Sequence, residues 1–499
     1  MTLVQSKYTH WNKQFIAGEW VEGSSDKMMQ NKNPYTGETL VEWRSSDEND
    51  LDKAYKTAQT EGKKWSKTPL AVRAKVMREA MMQMNERKEE IVDLLIAESG
   101  STRLKAEREW MTTVRILEES SSFPYRMKGE LIGSDIPGKE NRVVREAKGV
   151  IGVIGPWNFP LHLCMRSVAP ALAVGNGVVI KPASDTPITA GLLIADIFEK
   201  AGLPKGVLSV VSGSGSEIGD AFVKHPIPKL ISFTGSTEVG RGIGKLAGEH
   251  LKDVALELGG DNAMIVLDDA DIDKAVEAAV YGKFFHQGQI CMALNRIVID
   301  DSIYDTFVEK FTNTVKGLKF GDPADEKTLV GPLIHEKEVD RLLEVIEQAQ
   351  KEGAKLLYGG NSKGSVLEPT VLSEVSPDNS AAQHELFGPV ALLIRAQNEA
   401  DAIEIVNRSE YGLSGSVFTS NIERGYRVAQ EVESGMVHVN DQSVNDEAHV
   451  MFGGEKSSGL GRFGGDWAIE KFTRTRWIVF NMNTVNFLIF KSIDSTSIL

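Results

Sequence analysis

The pattern of apolar and polar positions changes character near residue 149. Before it, apolar residues recur at helical spacing: Val72, Val76, Met77, Ala80, Met81 and Met84, then Ile91, Leu94 and Leu95. Thr68-Pro69 gives this stretch a start signal, an N-cap residue followed by proline at the first helical position. The methionine stripe reads as core packing. From Gly149 short β-branched runs take over: Val150 to Ile154, Val178 to Ile180, Leu208 to Val211, Leu230 to Phe233 and Val254 to Leu258. Helix-like stretches, Thr189 to Ala201 and Ser216 to Lys224, lie between several of them. Strands alternating with helices predict right-handed βαβ units and a parallel sheet covered on both faces, with ligands at the carboxyl ends of the strands. A second α/β pattern opens after Gly260. It has strands at Ala263 to Leu267 and Arg296 to Ile299 around a helix from Asp271 to Phe285, and it runs to about Ser457. The Gly- and charge-rich segment Arg126 to Arg145 reads as an arm or hairpin outside the core.

Composition narrows the class. A chain of 499 residues exceeds what one hydrophobic core organises, so two or more domains are expected. Acidic residues number 70 against 56 basic ones, a net charge of −14 that disfavours nucleic acid or an acidic membrane as partner. Two cysteines, Cys164 and Cys291, make neither a disulfide scaffold nor a cysteine-rich metal site, so a reducing compartment and no metal are expected. Met1 to Trp20 lacks the apolar core of a signal peptide. The longest apolar candidate, Leu161 to Ile180, is interrupted by Arg166, Ser167, Pro170 and Asn176. A cytoplasmic protein without a membrane span is the expectation.

Four segments carry possible chemistry. Cys291 closes Phe284-Phe285-His286-Gln287-Gly288-Gln289-Ile290-Cys291, a polar, accessible turn of the kind a nucleophilic thiolate needs, whereas Cys164 lies in an apolar run and reads as inert. A lone cysteine is nevertheless structural more often than catalytic. Glu257, in Leu256-Glu257-Leu258-Gly259-Gly260, follows strand residues and is expected to point into the ligand crevice. There an apolar setting would raise it toward a general base; the alternative is a capping or surface carboxylate. Asn158, in Gly155-Pro156-Trp157-Asn158-Phe159-Pro160, is a fixed amide donor suited to an oxyanion, or part of a proline-rich turn. Ser232-Phe233-Thr234-Gly235-Ser236-Thr237-Glu238-Val239-Gly240 ends a strand and opens a helix whose N-terminus suits a pyrophosphate, or is an ordinary strand–helix turn. Gly459-x-Gly461-x-x-Gly464, Gly360-x-Ser362-x-Gly364 and His384-Glu385 match motif patterns but lack the context each motif needs.

Together with Lys181-Pro182-Ala183-Ser184 and Glu385-Leu386-Phe387-Gly388-Pro389, these segments resemble the aldehyde dehydrogenase superfamily in order and spacing over nearly the whole chain. The resemblance implies two Rossmann-like parallel-sheet α/β domains plus a small β oligomerisation arm. The cofactor domain would span residues 1–125 and 148–257, the catalytic domain 258–457, and the arm 126–147 and 474–499. It implies that Cys291 attacks the aldehyde carbon, that the Asn158 amide and the Cys291 backbone N–H hold the oxyanion, and that Glu257 activates water to hydrolyse a thioester. NAD or NADP would be held by Lys181 at the adenosine ribose and by Gly215 and Gly219 near the adenine. Ser236 and Trp157 would hold the pyrophosphate, with Gly235 and Leu258 beside them, and Glu385 and Phe387 would meet the nicotinamide riboside. Ser184 stands where many NAD-preferring relatives carry a glutamate, which leaves NADP open, and Ser167 stands where many carry a lysine.

Met165 to Pro170 and Asn445 to His449 look like the benzaldehyde and vanillin dehydrogenase branch. An aromatic aldehyde is therefore the expected substrate, with Phe159, His162, Arg166, Phe285 and Phe452 as pocket walls. The alternatives are a semialdehyde or phosphorylated aldehyde, for which Arg166 is the only obvious cationic anchor, and a non-catalytic member of the fold. A homodimer or homotetramer is implied, with Phe480 to Phe490 apolar enough to pair with a neighbour and Ile493 to Leu499 unlike relatives.

Overall fold

In a computed structural model, which describes residues 8–482, the strand–helix alternation after residue 149 winds into a parallel sheet. Val150–Ile154 (β1), Gly177–Lys181 (β2), Leu208–Val210 (β3), Leu230–Thr234 (β4) and Asp253–Glu257 (β5) lie in the order β3–β2–β1–β4–β5. All four pairings are parallel. The antiparallel pair Gln14–Ile16 and Glu19–Val21 extends the β3 edge, and Gly459–Leu460 closes the β5 edge. From β1 the chain steps outward one way to β2 and β3, then returns to the other side for β4. The carboxyl ends of β1 and β4 therefore flank the point where strand order reverses, the place such sheets leave a crevice.

A second sheet holds Asn262–Val266 (β6), Leu294–Asp300 (β7), Val390–Ala396 (β8) and Ser414–Phe418 (β9) in the parallel order β8–β7–β6–β9. Thr370–Ser373 and Lys355–Tyr358 continue beyond β8, and Met436–Val439 beyond β9. Both sheets are built from nearly continuous apolar strands buried on two faces, as helix-covered parallel sheets require.

Four helices position the site: Arg103–Ser120 (α1), Pro160–Ala173 (α2), Thr237–Glu249 (α3) and Ile272–Phe284 (α4). Every residue of α2 is buried, because it packs against α1, against β1 and β2, and against Gly465–Phe472.

Three local expectations need correction. The helix behind Thr68-Pro69 begins at Leu70, with Pro69 flanking it and no side-chain cap. The Thr68 hydroxyl instead faces back to the Lys64 carbonyl of the preceding helix at 3.5 Å, and Val72 is exposed. The apolar stripe is buried from Val76 onward, at Val76, Met77, Ala80 and Met84 and again at Ile91, Leu94 and Leu95, with Met81 packed partly buried against the same core. The stretch from Thr189 does not start as an α-helix: Ile188–Leu192 is a π turn, where Leu192 N–H reaches Pro187 O at 3.1 Å, before Leu193–Lys200 turns α-helical. The buried Glu98 carboxylate takes the N–H groups of Ile188 and Thr189 at 2.8 and 2.7 Å, which sets that wider entry. Gly215–Gly219 is likewise a π turn ahead of Asp220–Lys224.

The segment Arg126 to Arg145 enters an antiparallel three-stranded sheet. Lys139–Ala147 pairs antiparallel with Glu130–Ile132 on one side and with Thr473–Asn481 on the other. Leu131, Ile132, Trp477 and Met482 stand exposed on it. The expectations for residues 483–490 and for Ile493 to Leu499 lie outside the described residues. Among the described residues no helix is long and apolar enough to cross a membrane.

Candidate active site

Cys291 owes its placement to a backbone reversal after α4. His286 (φ 49°), Gln287 (φ 57°) and Gly288 (φ 72°) are consecutive left-handed residues. Each non-glycine residue in that region costs about 1–2 kcal/mol, so contacts must hold it there. Gln287 Nε2 donates to Gly100 O at 3.2 Å and Pro332 O at 2.9 Å, and Gln289 Oε1 accepts from Ile334 N at 3.0 Å. At Gly288 a side chain would collide with the Gly388 carbonyl, so glycine is required for both shape and conformation. The reversal ends with Cys291 O accepting from Asn262 Nδ2 at 2.7 Å, at the start of β6.

The surroundings of Cys291 differ from the polar turn expected of it. The polar side chains of Gln287 and Gln289 turn away to bind backbone, leaving Phe159, Phe285, Ile290, Met292 and Val444 around the sulfur's cavity. Burial accordingly pushes the thiol up to about 12, with the Glu385 charge adding to it and Arg166 opposing. Cys164 is fully buried, and burial raises its thiol far above the ordinary range.

Two cavities meet at this cysteine. The larger, about 470 Å³, lies at the carboxyl ends of β1, β4 and β5. Of the residues expected at the cofactor, Trp157, Gly235, Ser236, Leu258, Glu385 and Phe387 line it. Lys181, Ser184, Gly215 and Gly219 lie off its wall. Lys181 is buried at the end of β2, where burial lowers its ammonium to about 8, and Gly215 and Gly219 face open space. Ser236 caps α3 by accepting from Val239 N at 3.5 Å. Trp157 and Phe387 meet edge to face at 5.5 Å, Phe387 itself being held at φ 53°. Glu385 accepts from Gly260 N at 3.1 Å, and Gly259 lets its carboxylate approach. Burial raises that carboxylate to about 8.

The narrower cavity, about 50 Å³, is lined by Phe159, His162, Arg166 and Phe285 of the expected pocket. Phe452 is not on its wall: it is buried beneath the Arg166 guanidinium, 3.9 Å from carbon to ring centroid, and supports that side chain instead. Sequence reasoning missed Arg108, Thr112, Tyr281, Val444 and Asp446. Tyr281 stacks on Phe285 at 4.8 Å. Asp446 accepts from Arg166 Nη2 at 2.6 Å and His162 Nε2 at 2.7 Å. Burial works to raise its carboxyl, but Arg166 and His162 together hold it below the usual range. The spacing of Arg108 and Thr112, one turn apart on α1, was the available signal for that wall, and Asp446 lay in a segment already singled out.

Among the described residues, Asn158 and Cys291 are the two that line both cavities. Asn158 Nδ2 donates to Gln289 O at 3.0 Å, across the thiol loop, which leaves its second N–H for another acceptor. Glu257 ends β5 with its carboxylate buried, and neither oxygen has a hydrogen-bond partner among the described residues. Burial raises it to about 8 against the pull of Arg166, with Arg462 and Lys471 adding to that pull. It does not line either cavity, so the expectation that it points into the crevice is corrected. It sits in the same buried region as the thiol, and its charge acts on Cys291.

A model of the Aldehyde dehydrogenase family matches residues 20–478. The vanillin dehydrogenase of Corynebacterium glutamicum is 53% identical over 468 residues, covering 93% of this chain and 97% of that protein. The benzaldehyde dehydrogenase of Bacillus subtilis is 50% identical over 472 residues, covering 95% and 97%. The crystal structure of an NAD-dependent benzaldehyde dehydrogenase from Corynebacterium glutamicum superposes with a TM-score of 0.87 at 50% identity, covering 94% of this chain and 98% of that one.

Proposed function

The chain belongs to the aldehyde dehydrogenase family, and from that premise we propose that it oxidises an aromatic aldehyde to the carboxylic acid, with NAD as oxidant, through a covalent adduct on Cys291. The observation that carries this reading is the meeting of two cavities at Cys291 and Asn158. A nucleophile reached from both sides can hold an aldehyde carbon against a second reactant, which is what hydride transfer requires.

The larger cavity fits a dinucleotide. It offers the capped N-terminus of α3 for phosphate, the edge-to-face Trp157–Phe387 pair for a flat ring and the Glu385 carboxylate for a ribose. When bound, the nicotinamide supplies the hydride acceptor. The Cys291 thiol gives its proton to solvent, the sulfur attacks the aldehyde carbon, and the resulting oxyanion is met by the free N–H of the Asn158 amide and by the Cys291 backbone N–H. Loss of hydride leaves a thioester on sulfur. Glu257 takes a proton from water, the water oxygen displaces the sulfur, and the acid departs. A carboxylate raised to about 8 is a stronger base than an ordinary one, and near neutral pH it both accepts and releases the proton.

The narrower cavity favours an aromatic substrate over an anionic aliphatic one. Its walls include Phe159, Phe285 and Val444, and the Arg166 charge is already answered by Asp446. Names of relatives support the same class, vanillin and benzaldehyde dehydrogenase. On this reading residues 1–125 and 148–257 hold the cofactor, 258–457 carry the thiol, and 126–147 with 474–499 join copies of a cytoplasmic homo-oligomer. The test is initial-rate NAD(P)H formation with benzaldehyde, vanillin, hexanal and succinic semialdehyde, each with NAD and NADP. Aromatic aldehydes with NAD should lead; turnover of the semialdehyde alone would reject the pocket reading, and no turnover at all would reject the enzyme.

A further inference from the structure

We propose that the buried pair Lys105–Glu109 is a positioning device for the active site, setting the Asn158 main chain and the entry of α2 together; this rests on the oxyanion role given to Asn158 above. The two residues are one helical turn apart on α1, and both are fully buried. Lys105 Nζ donates to Glu109 and, at 2.7 Å, to the backbone carbonyl of Asn158. The other Glu109 oxygen accepts from Leu161 N at 2.9 Å and His162 N at 3.1 Å. Those are among the first N–H groups of α2, which begins on Pro160 and has no side-chain cap of its own. A carboxylate from a different helix therefore provides the cap, where negative charge is favoured. The Lys105 ammonium also lies 4.1 Å from the centroid of the Phe159 ring, a wall of the narrower cavity.

The geometry gives this pair a function beyond filling space. A buried ion pair seldom stabilises a fold more than apolar packing of the same volume would, so what it adds here is direction. Asn158 is gripped at two ends: Lys105 holds its carbonyl, and Gln289 O holds one N–H of its amide. Its remaining N–H then has a fixed aim beside Cys291. Through Glu109 the same pair fixes the first turn of α2, from which His162 and, one turn on, Arg166 reach Asp446. One buried contact thus registers the oxyanion donor against the pocket wall. Misplacing such a donor by about 1 Å is enough to cost roughly a hundredfold in rate.

The test is a double-mutant cycle of Lys105→Met with Asn158→Ala, read as the rate of the first-turnover NADH burst with benzaldehyde, alongside the KM for NAD. Asn158→Ala should slow the burst by about 10²–10³-fold. Lys105→Met should slow it at least about tenfold without moving the KM for NAD, and the double variant should be no slower than Asn158→Ala alone, because Lys105 acts through Asn158. Losses that multiply in the double variant, or a folded Lys105→Met protein with a full burst, overturn the proposal. An unchanged burst in Asn158→Ala overturns the oxyanion role itself and this proposal with it. Should Lys105→Met not fold, Lys105→Met with Glu109→Gln removes both buried charges and keeps a carbonyl to cap Leu161 and His162. The same cycle run in that background decides the matter by the same outcomes.

Discussion

The two cavities that meet at Cys291 are built in opposite ways. The larger one takes much of its wall from residues that directly follow strand ends, Gly155 to Trp157 after β1, Gly235 and Ser236 after β4, Leu258 and Gly259 after β5, joined by Glu338, Arg341, Glu385 and Phe387 from later segments. Each strand-end wall is a short contiguous motif. The narrower one takes one or two side chains from each of several distant segments: Arg108 and Thr112 from α1, Phe159 to Arg166 around α2, Tyr281 and Phe285 at the end of α4, and Val444 with Asp446 from a late loop. A parallel sheet fixes the first kind of site through its own topology, so its chemistry stays within motifs. The second kind depends on how helices pack, and can change one residue at a time. The cofactor side thus follows largely from the sheet, and the substrate side from the packing of helices and loops.

The largest expected effect separates the two halves of the reaction. Glu257→Gln should lower steady-state turnover by about 10²–10⁴-fold while the first-turnover burst of NADH survives, since only thioester hydrolysis needs the base. In the native protein, deacylation should climb with pH and level off above about 8, because the working form of Glu257 is the deprotonated one and burial holds its pKa there. That rising limb should vanish in Glu257→Gln; a burst lost along with turnover would place the glutamate in the first half instead.

The same contrast explains what was legible in the sequence. Strand-end motifs announced Asn158 and Ser236 because residues adjacent in sequence remain adjacent in the crevice. The orientation of Glu257 was not legible, since a strand end fixes where a side chain begins and not where its carboxylate settles. Asp446 was noticed only as part of a segment, because its partners Arg166 and His162 are about 280 residues away in sequence. Phe452 was assigned to the wall although it supports Arg166 from behind, a difference only packing decides. The polar look of Gln287 and Gln289 misdescribed the thiol's setting, because both side chains are buried and spent on backbone groups of other segments.

Next in size, Asp446→Ala removes the counter-charge of a buried guanidinium. It should cost about 3–5 kcal/mol of stability in urea unfolding, and in whatever remains folded it should raise the KM for benzaldehyde and not that for NAD. A change in the NAD parameter would break the division between the halves. Glu385→Gln, assayed above pH 8 where the carboxylate is ionised, should do the reverse, raising the KM for NAD about tenfold through loss of a charged acceptor while the aldehyde KM holds. The smallest effect is expected at the adenosine end. Ser184→Glu should weaken NADP relative to NAD by about tenfold, the new carboxylate repelling a 2′-phosphate, without altering aldehyde kinetics. An unchanged NADP-to-NAD ratio would place the ribose away from Ser184.

The central claim, that Cys291 is the atom where both cavities do their work, is tested most directly by trapping. Glu257→Gln protein mixed with NAD and benzaldehyde, quenched in acid and digested, should carry a benzoyl group on the peptide containing Cys291, in proportion to the NADH formed. An NADH burst with that peptide unmodified, or with the acyl group on Cys164 instead, would contradict the account.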